Sequence, residues 1–164
     1  MATDIFKMPR MAKSEYDRLI RDEHVCRIAF QGEVHPYIAP FLYVFDGRFM
    51  YFLSTKYGRK VQHFRTNPNV TVEVERYSRD LSDFSFVALP GRLIEVQDSD
   101  QKRAVKEMFV QLIKGKGLSP NVMSALGHAP GEPVEALISE ERNSVWKLVG
   151  VRLDEILGLK GSSG

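Results

Sequence analysis

Residues 37–60 read YIAPFLYVFDGRFMYFLSTKYGRK. Two runs dense in aromatic and β-branched residues, 37–45 and 48–53, stand on either side of Asp46-Gly47. Such runs suit the pleated surface of a sheet. Asp-Gly between them signals a hairpin, because a type I′ turn asks for positive φ at both central positions. A third run of the same character, residues 25–30, comes before them and ends at the turn pair Gln31-Gly32. The reading is an antiparallel meander.

Working outward, residues 12–23 form an amphipathic helix with Tyr16, Leu19 and Ile20 on one face. Residues 57–65 predict a short helix stopped at Asn67-Pro68, since the residue before a proline is pushed out of the α region. In residues 70–75, Val70, Val72 and Val74 alternate with Thr71, Glu73 and Glu75, the period of a strand with one buried face. Residues 84–96 are a long further strand, with Pro90-Gly91 marking a bulge or bend at a sheet corner. Asp98 or Ser99 caps a helix over residues 100–114, whose Val105, Phe109 and Leu112 face inward. Residues 118–133 read as loop, rich in Gly and Pro, and residues 134–138 and 145–153 as a last hairpin. Strands that do not alternate with helices argue against a doubly wound parallel sheet. The fold expected is mainly β, an antiparallel barrel with peripheral helices, because closure removes exposed edges. A single domain is expected over residues 1–164, with 1–10 and 158–164 as mobile tails.

Composition sets the outer bounds. The chain has 164 residues, 23 Lys plus Arg against 21 Asp plus Glu, and a net charge of +2, the profile of an ordinary globular domain. The one cysteine, Cys26, cannot form an intramolecular disulfide, and with four scattered histidines it supplies no Cys-rich zinc site, so no metal is expected. A reducing, cytoplasmic location is the expectation, with no membrane partner, since no apolar run approaches the ~18 residues a bilayer needs.

Charge is distributed unevenly. Between Asp46 and Glu73 there is no acid, while Arg48, Lys56, Arg59, Lys60 and Arg65 are all cationic. Within this stretch Ser54-Thr55-Lys56-Tyr57-Gly58-Arg59-Lys60 leaves a strand and enters a helix. Hydroxyls, free N–H groups and cations at one helix N-terminus are what a phosphate needs. The alternative is a capped helix with a solvated basic face, although such a face usually carries both signs.

These residues also form a recognisable order: Gly32-x-x-His35-Pro36-Tyr37-Ile38-x-Pro40, then Tyr43, Asp46-Gly47, Ser54-x-x-x-Gly58-Arg59-Lys60 and Asn67-Pro68-x-Val70. The chain thereby resembles the pyridoxamine 5′-phosphate oxidase-like, FMN-binding split β-barrel superfamily over residues 12–97, and most closely its nitroimidazole-reductase-like, flavin-nucleotide-binding branch. The resemblance implies a six-stranded antiparallel Greek-key split barrel that binds FMN at a homodimer interface. It implies that Arg59 and Lys60 grip the FMN phosphate, with Lys56 as a further cation. Pro40, Phe41, Leu42 and Tyr43 would lie along the flavin ring and ribityl chain, largely through backbone groups. Leu53, Ser54 and Thr55 would hydrogen-bond the ribityl and pyrimidine end, and Trp146 would stack near the ring system or pack in the core.

Departures from the family pattern narrow the activity. Vitamin-oxidising members carry a C-terminal Trp followed by Arg-x-His, whereas here Trp146 is followed by Arg152 with no such His. Ser85 and Phe86 stand where those relatives have a polar amide. True pyridoxamine 5′-phosphate oxidase activity is therefore not expected. His35 is the candidate proton donor to a reduced product, or an exposed turn histidine, and His63 lies one helical turn beyond the Arg-Lys pair. His24 and His128 receive no role, and Cys26 reads as a small apolar core residue.

The leading expectation is a flavin-dependent oxidoreductase acting with a small-molecule electron donor and acceptor, such as a quinone or a nitro compound. A non-catalytic flavin carrier uses the same site, as would haem or a deazaflavin in the same barrel. A barrel for single-stranded nucleic acid is the alternative from another class, using residues 56–65 and the rings of Tyr37, Phe41 and Tyr43. Alternation buries most of these rings, so no nucleic-acid partner is expected.

Overall fold

The hairpin at Asp46-Gly47 forms, with a longer turn than type I′. In the computed structural model, which describes residues 4–162, β2 (Tyr37–Phe45) and β3 (Met50–Thr55) pair antiparallel with Phe45 opposite Met50. The connection is therefore residues 46–49, in which Gly47 alone has positive φ, at 96°. The carboxylate of Asp46 organises it, its Oδ1 accepting the N–H groups of Arg48 at 2.8 Å and Phe49 at 2.7 Å. A side chain that mimics a backbone turn replaces the second positive φ.

β1 (Val25–Phe30) lies beside β2, and β4 (Asn69–Tyr77) returns to the far side of β1, giving the spatial order β4-β1-β2-β3 of a Greek key. β5 (Asp83–Glu95) pairs with β4, and β6 (Asn143–Val149) joins β5 to β3, which closes a six-stranded antiparallel barrel. The ladder between β4 and β5 runs without a skipped residue from Asn69 opposite Arg92 to Tyr77 opposite Phe84, so Pro90-Gly91 makes no bulge there. The discontinuity lies on the other edge. That edge pairs Asp83–Ala88 with β7 (Leu157–Ser162) and Arg92–Glu95 with β6. Pro90, which has no N–H to give, sits in the gap between these two partners.

β7 is a correction to the sequence reading, which placed a mobile tail from residue 158; residues 1–3 and 163–164 of the expected tails lie outside the described residues. A second correction concerns residues 134–138, read as a strand. They hold a turn and the start of a short helix, α5 (Ala136–Ser139), so β6 pairs with β3 and β5 and not with this run. Its apolar residues serve a helix-covered core, and a run this short carries no period that separates helix from strand.

Three further helices follow the sequence closely: α1 (Lys13–Asp22), α2 (Arg59–Thr66) and α3 (Ser99–Gly115), with α4 (Asn121–Ala125) inside the expected loop. α2 closes one end of the barrel, where Phe64 packs 4.6 Å from Trp146 and His63 stacks on Tyr37 at 4.8 Å. Two apolar layers result. The barrel interior holds Ile28, Phe52, Val72, Val87 and Trp146, all buried. Outside the wall of β2, β3 and β6, the residues Val44, Tyr51, Leu53 and Val145 pack against Val105, Phe109 and Ile113 of α3. β3 is thus covered on both faces, which is why Met50–Ser54 is buried throughout and shows no alternation.

Candidate anion and cofactor site

The barrel wall is split beside α2. β2 keeps its ladder with β1 from Tyr37 to Leu42, yet its pairing with β3 stops at Tyr43 opposite Phe52. Beyond that point Leu53, Ser54 and Thr55 pair only with β6, opposite Val145, Ser144 and Asn143. Residues 38–42 and 53–55 therefore present edges without a ladder partner toward each other. Unpaired strand edges are rows of N–H donors and C=O acceptors.

The split opens at the N-terminus of α2. Gly58 occupies the N-cap with φ 109°, a conformation that favours glycine, no side chain caps the helix, and its first turn holds no acid. The first N–H groups of a helix carry partial positive charge and attract anions. Arg59 and Lys56 are exposed and Lys60 is half-buried, and none of the three makes an ion pair among the described residues. Lys60 reaches back from α2 to β2, its Nζ 4.6 Å from the centre of the Phe41 ring. Burial without a carboxylate partner lowers its pKa from the ordinary lysine value. An incoming anion would restore what burial removes.

The other residues selected from sequence fall into distinct places. Pro40 is exposed and Leu42 half-buried on the outer side of β2, whereas Phe41 and Tyr43 point into the barrel, and the Tyr43 hydroxyl donates to the Ile20 carbonyl at 2.6 Å. Leu53 belongs to the layer under α3. The hydroxyls of Ser54 and Thr55 are engaged by their own backbone, donating to the carbonyls of Thr55 at 2.8 Å and Tyr57 at 2.9 Å. Ser54 is buried and Thr55 half-buried, and their hydroxyls hold the shape of the segment. Trp146 packs in the core. It is 1% exposed inside the barrel, between Phe64 and Phe41, where its ring meets the core. The alternation that places Val145 outward and Trp146 inward decides this. His35 stands exposed in the β1–β2 connection, and Cys26 is buried with its thiol pKa pushed up by burial.

Two features of the site carry no signal in the residue pattern. One is the split itself, a property of strand register that a single sequence does not encode visibly. The other is a buried polar group behind β3, Asn143 with His128, which only the fold brings together. Grooves lie elsewhere: one of about 710 Å³ on the β1–β4–β5 side lined by Gln31, Thr71, Arg92 and Arg152, and one of about 430 Å³ beneath residues 150–156. Residues 53–60 line neither; Leu53 and Ser54 are buried, Thr55 is half-buried, and residues 56–59 are exposed.

Comparison with known proteins gives the same architecture. The family model described as pyridoxamine 5′-phosphate oxidase matches residues 12–137. No curated protein matches the chain. Among solved structures, an FAD-binding protein of Mesorhizobium loti superposes with a TM-score of 0.62 at 16% identity, covering 96% of this chain and 100% of that one. A candidate 5-nitroimidazole antibiotic resistance protein of Bacteroides thetaiotaomicron gives 0.60 at 15% identity, covering 98% and 95%. The FAD and haem binding protein of Mycobacterium smegmatis gives 0.63 at 12% identity, covering 93% and 72%. Likeness at such identities is one of fold. No helix of the described residues is long and apolar enough to cross a membrane.

Proposed function

Because the chain belongs to the pyridoxamine 5′-phosphate oxidase family, we propose that it binds FMN in the split between β2 and β3 and serves as a flavin-dependent oxidoreductase for a small electron acceptor. The observation that carries this is the convergence of two strand edges without ladder partners on a helix N-terminus whose cations make no ion pair among the described residues. The fit to a flavin is chemical. A flat heterocycle edged with donors and acceptors matches the edge of residues 38–42 that lacks a ladder partner, and a phosphate monoester matches Arg59, Lys60 and the first N–H groups of α2. A bound flavin supplies hydride and electron transfer, and the chain's own part is to bind and orient it.

Two copies complete the site in this reading. The adjoining outer face of β1 and β2 leaves Val25 52% and Ile38 61% exposed on either side of Pro40 and its cross-strand partner Arg27. A face of exposed apolar residues around one paired arginine, next to a ligand site, suits a twofold interface. Vitamin oxidation does not fit as well, because Arg152 is held by Asp154 at 3.8 Å and Glu155 at 3.4 Å, and Asp154 stands where the family's histidine would be. Single-stranded nucleic acid fits poorly too, with Phe41 and Tyr43 inside the barrel and Tyr37 stacked on His63.

FAD is the second reading, favoured by relatives of the same fold that are described as binding it. The first measurement is the visible spectrum of the purified protein before and after adding FMN or FAD, with mass identification of what denaturation releases. Flavin bands with released FMN support the leading reading, released FAD the second, and a protein that stays colourless with both overturns the site. Turnover of NADH or NADPH with a quinone or nitro acceptor then separates an oxidoreductase from a carrier.

A further inference from the structure

Beyond Phe52 the end of β3 has one ladder neighbour instead of two, because β2 has left it. Its position therefore depends on β6 and on what β6 carries. Opposite Thr55, β6 carries Asn143, 2% exposed. The Asn143 Nδ2 donates to the Leu126 carbonyl at 2.8 Å and makes a longer bond, 3.4 Å, to the Ser54 carbonyl. With the amide nitrogen committed to two carbonyls, Oδ1 must accept, and its partner at 2.8 Å is His128 Nε2. This places a hydrogen on Nε2 of the imidazole.

His128 is itself held from behind. It is 3% exposed, and its Nδ1 has no hydrogen-bond partner but lies 3.5 Å from Glu132 Oε2. Glu132 in turn pairs with Arg142 and accepts the Ala129 N–H at 2.6 Å. The turn that bears His128 presses on the same strand end. Gly127 has φ 81°, and a Cβ there would meet Thr55 Cγ2 at 3.0 Å. Filling this volume alone would call for apolar side chains, since buried amides and imidazoles cost free energy unless they are bonded. The polar pair makes sense through the carbonyls it holds, one on the turn and one on β3.

We propose that Asn143 and His128 are positioning residues of the anion site, a buried bracket that fixes the half-supported end of β3 and hence the distance between residues 53–58 and the free edge of β2. Its ligand rests on the flavin reading, whereas its geometry does not. The test compares wild type, His128→Leu and His128→Gln by melting temperature, FMN titration and amide hydrogen exchange in the free protein. Leucine fills the space without bonding, and glutamine returns an N–H close to the place of Nε2.

His128→Leu should raise exchange at residues 53–57 about tenfold, leave β1 and β4 unchanged, and weaken FMN about tenfold, with His128→Gln recovering most of both. Should the leucine variant not fold, Asn143→Ala is read in the same way. Unchanged exchange at residues 53–57 overturns the proposal, as does faster exchange spread equally over the barrel with no rescue by glutamine. If wild type takes up no FMN, the flavin reading falls and the exchange comparison alone decides the bracket.

Discussion

α2 and α3 are both basic, solvent-facing helices of this chain, and they treat their charges in opposite ways. α3 begins at Asp98, whose side chain accepts the Gln101 N–H at 2.9 Å, with Asp100 in its first turn. Its cations are answered: Arg103 by Glu107 at 3.1 Å, Lys102 by Glu141 at 3.8 Å, and Lys114 by Glu135. α2 begins at a glycine, has no acid in its first turn, and its Arg59, Lys60 and Arg65 make no ion pair among the described residues. A count of lysines and arginines therefore says little about binding. What marks α2 is charge that the fold leaves unmatched beside backbone that the fold leaves unpaired.

The contrast between the helices is most exposed to test at the α2 cations. Arg59→Ala with Lys60→Ala should lower FMN affinity about 100-fold or more, because two charge-assisted hydrogen bonds to the phosphate are removed, with the melting temperature nearly unchanged. Retained stoichiometric FMN in a titration of that variant would contradict the assignment. Gly58→Ala should destabilise the fold by about 1–2 kcal/mol in denaturant melts, because a Cβ there has open space but an unfavourable φ of 109°. Asp98→Ala should cost about 1 kcal/mol of stability through loss of the α3 cap and leave FMN affinity unchanged. Arg103→Ala should change stability by only about 0.3 kcal/mol, as an exposed i,i+4 pair does.

A pH titration probes the same difference. The pKa of Lys60 is lowered from 10.5 by burial, so the folded chain releases this proton before the unfolded chain does. Its contribution therefore makes stability rise with pH between the folded value and 10.5, while affinity for an anion falls over that window. Lys60→Arg, which stays charged, should remove the alkaline loss of FMN affinity attributable to this group. An identical alkaline profile in the variant would show that Lys60 is not in contact with the anion.

Much of the barrel could be read from residue patterns because its decisive signals are local. Val70, Val72 and Val74 alternate and do face inward, and Asn67-Pro68 does stop α2. Pattern reading fails where tertiary partners decide. Residues 134–138 are apolar enough for a strand, but the layer against α3 takes them as a turn and helix. Residues 157–162 carry glycines and a lysine that suggest a tail, yet the free edge of β5 recruits them as β7. At the site, the basic run and Gly58 are visible as residue types. The inward ring of Trp146, the spent hydroxyls of Ser54 and Thr55, and the pairing of His128 with Asn143 depend on strand facing and register, which composition does not reveal.

Cys26 lies in β1 opposite Phe41, one strand removed from the split on the far side of β2, and its thiol is buried and resistant to ionisation. A maleimide or disulfide reagent can therefore modify the native chain only when β1 separates from its neighbours. The single thiol is a built-in clock for barrel opening: its labelling rate, followed with and without ligand, converts occupancy of the split into a change in opening frequency, without any engineered probe.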